Sequence, residues 1–171
     1  MQHLHNRQIS TNVWQTDSGF KAIGRLHDVK GVPITVHSGR EISAGEDLHI
    51  MIVTLTLDAN LIITDAHYDM QTVPGDDCVH AADVAQDLIG LSVAKGFTKG
   101  VQQKLARPDH CNHVFALLTA MAPAIMQGFY SAQQDDDTKL DRWENMIDSC
   151  YAWRSGGHAA ENVLSLIQKQ D

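Results

Sequence analysis

Cysteine and histidine are the residue types in this chain whose spacing points most directly to chemistry. Two Cys-x-His pairs occur, Cys78 with His80 and Cys111 with His113. The third cysteine, Cys150, has no histidine at that spacing. Thiolate and imidazole are the donors that zinc and iron prefer. The pattern therefore predicts a zinc or iron site, but it identifies no reaction.

The local geometry of the cysteines limits how they can share one ion. Side chains two residues apart on an α-helix diverge by roughly 200°, so Cys111 and His113 can meet one ion only if one of them precedes the helix. Cys78 and Cys111 both fall at predicted helix starts, where the local positive potential stabilises a thiolate. Cys150 shares an apolar stripe with Trp143 and is also explained as a buried cysteine.

A second candidate site lies on the predicted sheet. His49 shares one face of a strand with Met51 and the alternate apolar residues that follow, so its ring points to the core or to a pocket. Asp65 lies on the apolar face of the next strand and is predicted to project near His49. His5 and Arg7 share a face of the first strand. These residues are the predicted catalytic set: His49, Asp65, His5 and Arg7.

This set has both an enzymatic and a structural explanation. As an enzyme site, it would move protons through His49 and Asp65, while Arg7 and Lys30 bind the carboxylate of a small substrate. A buried histidine held by a buried aspartate is equally common as a purely structural pair. His5 and Arg7 are also explained by plain exposure to solvent.

Period-two alternation of apolar residues predicts strands in the first part of the chain. We expect a hairpin over residues 7–26 with its turn near 16–19, then strands at 48–57 and 61–68 that pair antiparallel. Residues 1–70 are thus predicted to be mainly strands, with about four strands in one antiparallel sheet.

From residue 75 to residue 171 the apolar period becomes that of helices. It predicts about five helices, at 81–88, 98–105, 114–129, 140–150 and a last segment carrying Val163, Leu164 and Ile167. An acidic run at Asp135–Asp137 suits a helix start. Strands followed by helices indicate an α+β fold, with the helices packed on one face of the antiparallel sheet.

Length and charge set the outer limits on function. A chain of 171 residues with 43% apolar content can bury one good core, so we expect a single domain over residues 1–171. A net charge of −8 repels phosphate backbones and anionic lipid, which argues against nucleic acid and membrane partners. The start has no apolar signal segment, so we expect a cytoplasmic protein. An odd cysteine count in that reducing compartment leaves burial, metal ligation and thiol chemistry open.

An ordered series of short motifs runs through nearly the whole chain. The motifs are Leu4-His5-Asn6-Arg7, Leu26-His27-Asp28-Val29-Lys30, Leu48-His49-Ile50-Met51, Ile63-Thr64-Asp65-Ala66, Pro74 through Cys78, Leu88-Ile89-Gly90-Leu91, Gly96-Phe97-Thr98, Cys111-Asn112-His113-Val114 and Cys150-Tyr151-Ala152-Trp153-Arg154. In this series the chain resembles the bacterial family catalogued as domain of unknown function 2889. The family name itself implies no activity.

The resemblance implies which residues occupy the family's positions. They are His5, Arg7, Asp28, Lys30, His49, Asp65, Cys78, Cys111, His113 and Cys150. His80 falls outside that pattern. The metal ligands that the resemblance implies are therefore Cys78, Cys111, His113 and Cys150, with His49 and Asp65 as further partners of the site.

The chain is also loosely similar to iron-sulfur scaffold proteins of the IscU type, in which a sheet precedes helices and three cysteines with Asp or His hold zinc or a cluster. The spacing of the later cysteines differs, so this likeness concerns the fold alone. Three functions stay open. We favour a small metal-binding protein with a Cys/His site. The alternatives are a lyase- or hydrolase-type enzyme acting on a small carboxylated molecule, and a non-catalytic domain that forms a homodimer through its apolar helices.

Overall fold

A computed structural model describes residues 1–82, 85–105, 111–133 and 139–169 of the protein. The chain divides into two compact units, residues 1–129 and residues 130–171. The described strands lie in the first unit. The single domain over residues 1–171 stays a prediction, because compactness alone does not show that a unit folds independently.

The described strands account for most of the first unit. They are β1 (His5–Thr16), β2 (Gly19–Lys30), β3 (Ile34–Thr35), β4 (Glu41–Ile42), β5 (Asp47–Asp58) and β6 (Ile63–Thr72). The four long strands form one antiparallel sheet in the order β1-β2-β5-β6, and β3 pairs with β4 separately. This confirms the predicted four-stranded antiparallel sheet and the predicted pairing of its last two strands.

Helices follow the sheet in the chain. Among the described residues, the α-helices are α1 (Phe97–Lys104), α2 (Asn112–Ala132), α3 (Lys139–Glu144) and α4 (His158–Ile167), and the 3₁₀ helices are Asp76–Ala82, Ala85–Leu88 and Tyr151–Trp153. The α+β class is therefore confirmed. Where one helix was predicted at 81–88, the described residues form the end of one 3₁₀ helix (Asp76–Ala82) and the whole of another (Ala85–Leu88). The predicted acidic start at Asp135–Asp137 lies outside the described residues.

A tight turn joins β1 to β2 at the predicted place. Thr16 pairs with Gly19, which leaves two residues for the turn. Gly19 has a φ of 149°, and a Cβ at this position would collide with the backbone oxygen of Leu57. Only glycine lacks that atom, so this residue allows β2 to lie beside β5 at the turn.

The inner face of the sheet forms the core of the first unit. Alternate residues of β2 are buried, and the same alternation continues on β5 from Met51 to Leu57. Full burial of one such large apolar side chain contributes about 1.5–3 kcal/mol. The strict alternation therefore determines which side chains of β2 and β5 point inward.

Helix α2 packs on this inner face. A Cβ on Gly24 of β2 would meet the side chains of Met121 and Leu117, so the helix lies against the strand at this glycine. The buried residues of α2 recur at helical spacing and confirm the predicted apolar stripe: Val114, Leu117, Leu118, Met121 and Ile125. By length and composition α2 could also cross a membrane, a test that buried core helices pass as well.

A β-bulge in β6 changes which of its residues point inward. Ile63 pairs with Leu57, but Asp65 pairs with Thr56, so Thr64 is an extra residue on the β6 side. One extra residue reverses the alternation of a strand. Ala66 and Tyr68 are consequently buried, whereas Asp65 and His67 are exposed.

The second unit departs from its predicted helix over 140–150. α3 ends at Glu144, and Asp148 adopts a φ of 63°, which interrupts helical geometry. The Asp148 carboxylate accepts hydrogen bonds from the Ser155 backbone N–H and hydroxyl, both at 2.7 Å, and so stabilises this loop. Cys150 is therefore an exposed loop residue and not part of a helical stripe.

Candidate functional site

Three adjacent strands bring a polar row of side chains to one end of the inner face. Arg7 of β1 pairs with Asp28 of β2, and Asp28 pairs with His49 of β5. Directly paired residues point to the same side of a sheet. Arg7, Asp28 and His49 are therefore neighbours because of strand register, although about 20 residues of sequence separate each from the next.

Asp28 is the centre of this site and is almost completely buried, with 1% of its side chain exposed. The Arg7 Nε donates a hydrogen bond to Asp28 Oδ1 and Nη2 donates one to Oδ2, both at 2.7 Å. Burial alone would raise the pKa of Asp28, but the hydrogen bonds and positive charge of Arg7 lower it below its usual value. Asp28 is therefore ionised at neutral pH.

His49 lies beside Asp28 and is also buried. Its Nδ1 is 3.0 Å from Asp28 Oδ2. Burial and the charge of His113 lower the pKa of His49 to about 4, against the opposing effect of Asp28. The ring is therefore neutral at pH 7. With the proton on Nδ1 it donates to Asp28, and with the proton on Nε2 it leaves Nδ1 free to bind a metal.

His113 closes the site from the first turn of α2. Its Nε2 is 3.7 Å from Asp28 Oδ2, and its ring lies on that of His49 with centroids 4.0 Å apart. Burial, followed by the charge of Arg7, lowers the pKa of His113. His5 approaches from β1, with Nε2 3.5 Å from Asp28 Oδ1. One buried carboxylate thus has three imidazoles and one guanidinium around it.

Cys111 lies just before α2 and contacts the outer edge of this cluster. Its Sγ is 3.9 Å from His113 Nδ1, so the His113 ring stands between the thiol and Asp28. The expectation that one member of this Cys-x-His pair must precede the helix agrees with this position. Cys111 and His113 are a predicted Cys-x-His pair that the structure brings into contact.

The Cys₃His metal site is not found among the described residues. There, the group of three or more potential ligands whose donor atoms lie within 4.8 Å of one another is Asp28, His49 and His113. This group shares only His113 with the four predicted metal ligands. Cys78 is half-buried in the 3₁₀ helix Asp76–Ala82, and Cys150 is exposed in the second unit. A metal bound by the cysteines stays a prediction.

The predicted face of Asp65 is wrong. The bulge at Thr64 turns its side chain outward, where it is exposed and accepts a hydrogen bond from Gln86 Nε2 at 3.3 Å. The carboxylate that binds His49 is instead Asp28. The sequence did contain a signal for Asp28, because it continues the alternation of Ala22 and Leu26 on β2.

The structure does bring the other predicted catalytic residues together. His49, His5 and Arg7 all contact Asp28. Arg7 and His5 have 36% of their side chains exposed, whereas Asp28 is buried, so the site opens toward solvent on the side of β1. A buried carboxylate with an open cationic edge can hold a metal ion, position a proton carrier or bind an anion.

Comparison with known proteins identifies a family but no activity. No curated protein and no solved structure matches the chain. The likeness to IscU-type scaffolds is therefore not confirmed. One family model matches residues 5–127, a segment that contains every residue in contact with Asp28 described above. On this match, which covers more than half of the chain, the protein belongs to the family described as protein of unknown function (DUF2889).

Proposed function

We propose that the protein is a small metal-dependent enzyme whose metal ion is held by Asp28, His49 and His113. The observation that carries the proposal is the convergence of one donor atom from each of these three side chains within 4.8 Å. Two imidazoles and one carboxylate are a recurrent ligand set of catalytic zinc and of non-haem iron.

The protonation states of the three ligands support metal binding. A metal needs a neutral imidazole and an ionised carboxylate. The lowered pKa values of His49, His113 and Asp28 favour those forms at neutral pH. Neither His49 nor His113 therefore has to lose a positive charge before an ion binds.

Arg7 is compatible with this ion and would orient its carboxylate ligand. A carboxylate offers about four lone-pair positions, of which Arg7 occupies two in a bidentate pair. The one remaining position on Oδ2 lies toward His49 and His113. Such a partner of a ligating carboxylate fixes its orientation, and its loss commonly weakens metal binding by 10- to 100-fold.

Three protein ligands leave coordination positions open for water or substrate. In such sites the metal lowers the pKa of bound water and polarises carbonyl groups. The reaction that fits best is therefore of the hydrolase or lyase type. Zinc and iron both suit two nitrogen donors and one oxygen donor.

Metal analysis of untagged protein tests the proposal. We expect about one zinc or iron ion per wild-type chain, and a loss of at least tenfold in metal affinity for Asp28→Asn, His49→Gln and His113→Gln. His67→Gln is the matched control, because His67 is exposed on the outer face of β6. Metal-free wild-type protein after incubation with zinc or iron, or full metal content in all three variants, would overturn the proposal.

A second candidate is a metal-free enzyme with Cys111 as its nucleophile. The observation in its favour is the order thiol, imidazole, carboxylate, with His113 between Cys111 and Asp28 at 3.9 Å and 3.7 Å. This is the order of groups in nucleophilic triads. If it is correct, iodoacetamide labels Cys111 faster than Cys78, and His113→Gln slows that labelling by about tenfold or more.

A further inference from the structure

We propose that the ligand of this site is a small organic anion whose carboxylate binds the free edge of the Arg7 guanidinium, beside Lys30 and His5. The inference names the substrate class of the proposed enzyme, and it rests on the proposed function only for the chemistry that follows binding. The anion site itself is built from residues that are present with or without a metal.

Arg7 has N–H groups that do not bind Asp28 and are available to a ligand. A guanidinium carries five N–H groups. Asp28 receives the Nε–H and one N–H of Nη2. Within the part of the chain that the structure describes, the Arg7 side chain makes its hydrogen bonds to Asp28. The remaining edge, formed by Nη1 and the second N–H of Nη2, matches the two oxygens of a further carboxylate.

The free edge of the Arg7 guanidinium is both fixed in orientation and accessible to solvent. The bidentate pair with a carboxylate that is 1% exposed holds the guanidinium plane in one orientation. Arg7 itself is 36% exposed and lies on β1, which is an edge strand of the sheet. A ligand can therefore reach a guanidinium whose orientation is already set, which reduces the entropy lost on binding.

The surroundings of the free edge of Arg7 carry positive charge. Lys30 is the cross-strand partner of His5 and lies on the same face as Asp28. The nearby Asp47 carboxylate is paired with His27, with Oδ1 2.6 Å from Nε2. His27 lies on the opposite face of β2. Two cationic side chains thus share this end of the inner face with one buried carboxylate, in a chain whose net charge is −8. A local cationic group in an acidic protein concentrates small anions.

The proposed anion site lies beside the residues that would hold the metal. Arg7 and His113 contact the same oxygen of Asp28, at 2.7 Å and 3.7 Å. The free edge of Arg7 includes Nη2, which contacts the same Asp28 oxygen that His49 and His113 approach, so we expect a bound anion to lie near the two rings. A divalent metal ion carries one positive charge more than the Asp28 carboxylate neutralises. In a metal-loaded site this charge would strengthen the binding of the anion.

Calorimetric titration of the 171-residue protein with succinate tests the inference, and inorganic phosphate provides the comparison. Both ligands are titrated at equal ionic strength into metal-loaded and EDTA-treated protein. We expect wild-type protein to bind succinate more tightly than phosphate. Arg7→Lys keeps the charge but loses the planar fork, so it should weaken succinate binding by about tenfold. Lys30→Gln should weaken it by a smaller factor.

Arg25→Lys is the matched control, because Arg25 lies on β2 with its side chain on the outer face. Succinate should bind this variant as it binds wild-type protein. Absence of succinate binding to wild-type protein, or equal binding to Arg7→Lys, would overturn the inference. Tighter binding of phosphate than of succinate would overturn the assignment of a carboxylate.

Metal content is measured on the same samples, which separates the two proposals. Protein that contains no metal but binds succinate through Arg7 would reject the metal site and retain the anion site. Protein that contains metal in the Asp28 site but binds no carboxylate would reject the anion site and retain the metal site.

Discussion

At the scale of single residues, the site depends on one buried aspartate. Asp28 is ionised because Arg7 binds both of its oxygens, and its Oδ2 lies 3.0 Å from Nδ1 of His49 and 3.7 Å from Nε2 of His113. A buried charge is tolerated when it is paired and hydrogen-bonded. The orientation of Arg7 and His49 therefore depends on Asp28, whereas the lowered pKa values of His49 and His113 come first from burial.

Arg7→Met should destabilise the protein by about 2 kcal/mol. Loss of one partner from a fully buried ion pair costs about 3–5 kcal/mol, and we expect less here because Arg7 is 36% exposed. The free energy of unfolding in urea with EDTA measures the change. The double variant Arg7→Met/Asp28→Leu should recover part of the loss, because it leaves no unpaired charge in the core. A double variant that is less stable than Arg7→Met alone would contradict this explanation.

His49 should make the metal-free protein less stable as the pH falls below about 6. Its pKa of about 4 in the folded state is below the unfolded value of about 6.5, so its contribution is complete above the unfolded pKa and is lost as the pH falls toward the folded one. Between pH 7 and about pH 4.5 this predicts a loss of about 2 kcal/mol. Asp28 titrates in the same direction but chiefly below its unfolded pKa of about 3.9.

Urea unfolding of wild-type and His49→Gln protein at the two pH values measures this contribution. The variant should lose about 2 kcal/mol less than wild-type protein does. His67→Gln, which changes an exposed histidine, should behave as wild-type. An equal loss in all three proteins would show that His49 does not titrate in this range.

At the scale of secondary structure elements, strand register and one bulge decide the membership of the site. The paired strands β1, β2 and β5 place Arg7, Asp28 and His49 in one row, and the start of α2 adds His113 above it. The bulge in β6 removes Asp65 from the same face. Elements that are far apart in the chain thus meet at one end of the inner face.

Asp65→Asn should leave both metal content and stability unchanged, whereas Asp28→Asn should not. Asp65 is exposed on the outer face, and surface substitutions usually change stability by less than about 0.5 kcal/mol. Asp28→Asn keeps the size of the side chain but leaves the Arg7 charge without its partner. Elemental analysis and urea unfolding of both variants measure the contrast. Loss of metal in Asp65→Asn would show that the sheet does not have this register in solution.

At the scale of the whole molecule, the candidate site lies entirely in the first compact unit. The described residues that contact Asp28, and Cys111 with them, fall within residues 1–129. The family model ends at residue 127, close to the end of that unit. A homodimer and a cytoplasmic location stay predictions.

A shortened chain of residues 1–133 should keep the candidate site. The truncation retains α2 (Asn112–Ala132) complete, and α2 supplies His113 and packs on Gly24. We expect the shortened protein to bind the same metal per chain and to show a cooperative thermal transition. Circular dichroism and elemental analysis measure these properties. An unfolded fragment would show that residues 134–171 are required for the stability of the first unit.

The sequence by itself determined the features that depend on local periodicity. Alternation and helical spacing were sufficient for the α+β class, the antiparallel sheet, the inward face of His49 and the apolar stripe of α2. Only the tertiary structure decided that Asp28 joins His49 and His113, because that contact depends on strand register and on where α2 crosses the sheet. It also excluded Asp65 through one extra residue in β6 and placed Cys150 in a loop through the backbone of Asp148. These features arise from long-range pairing and single backbone angles, which leave little periodic signal in a sequence.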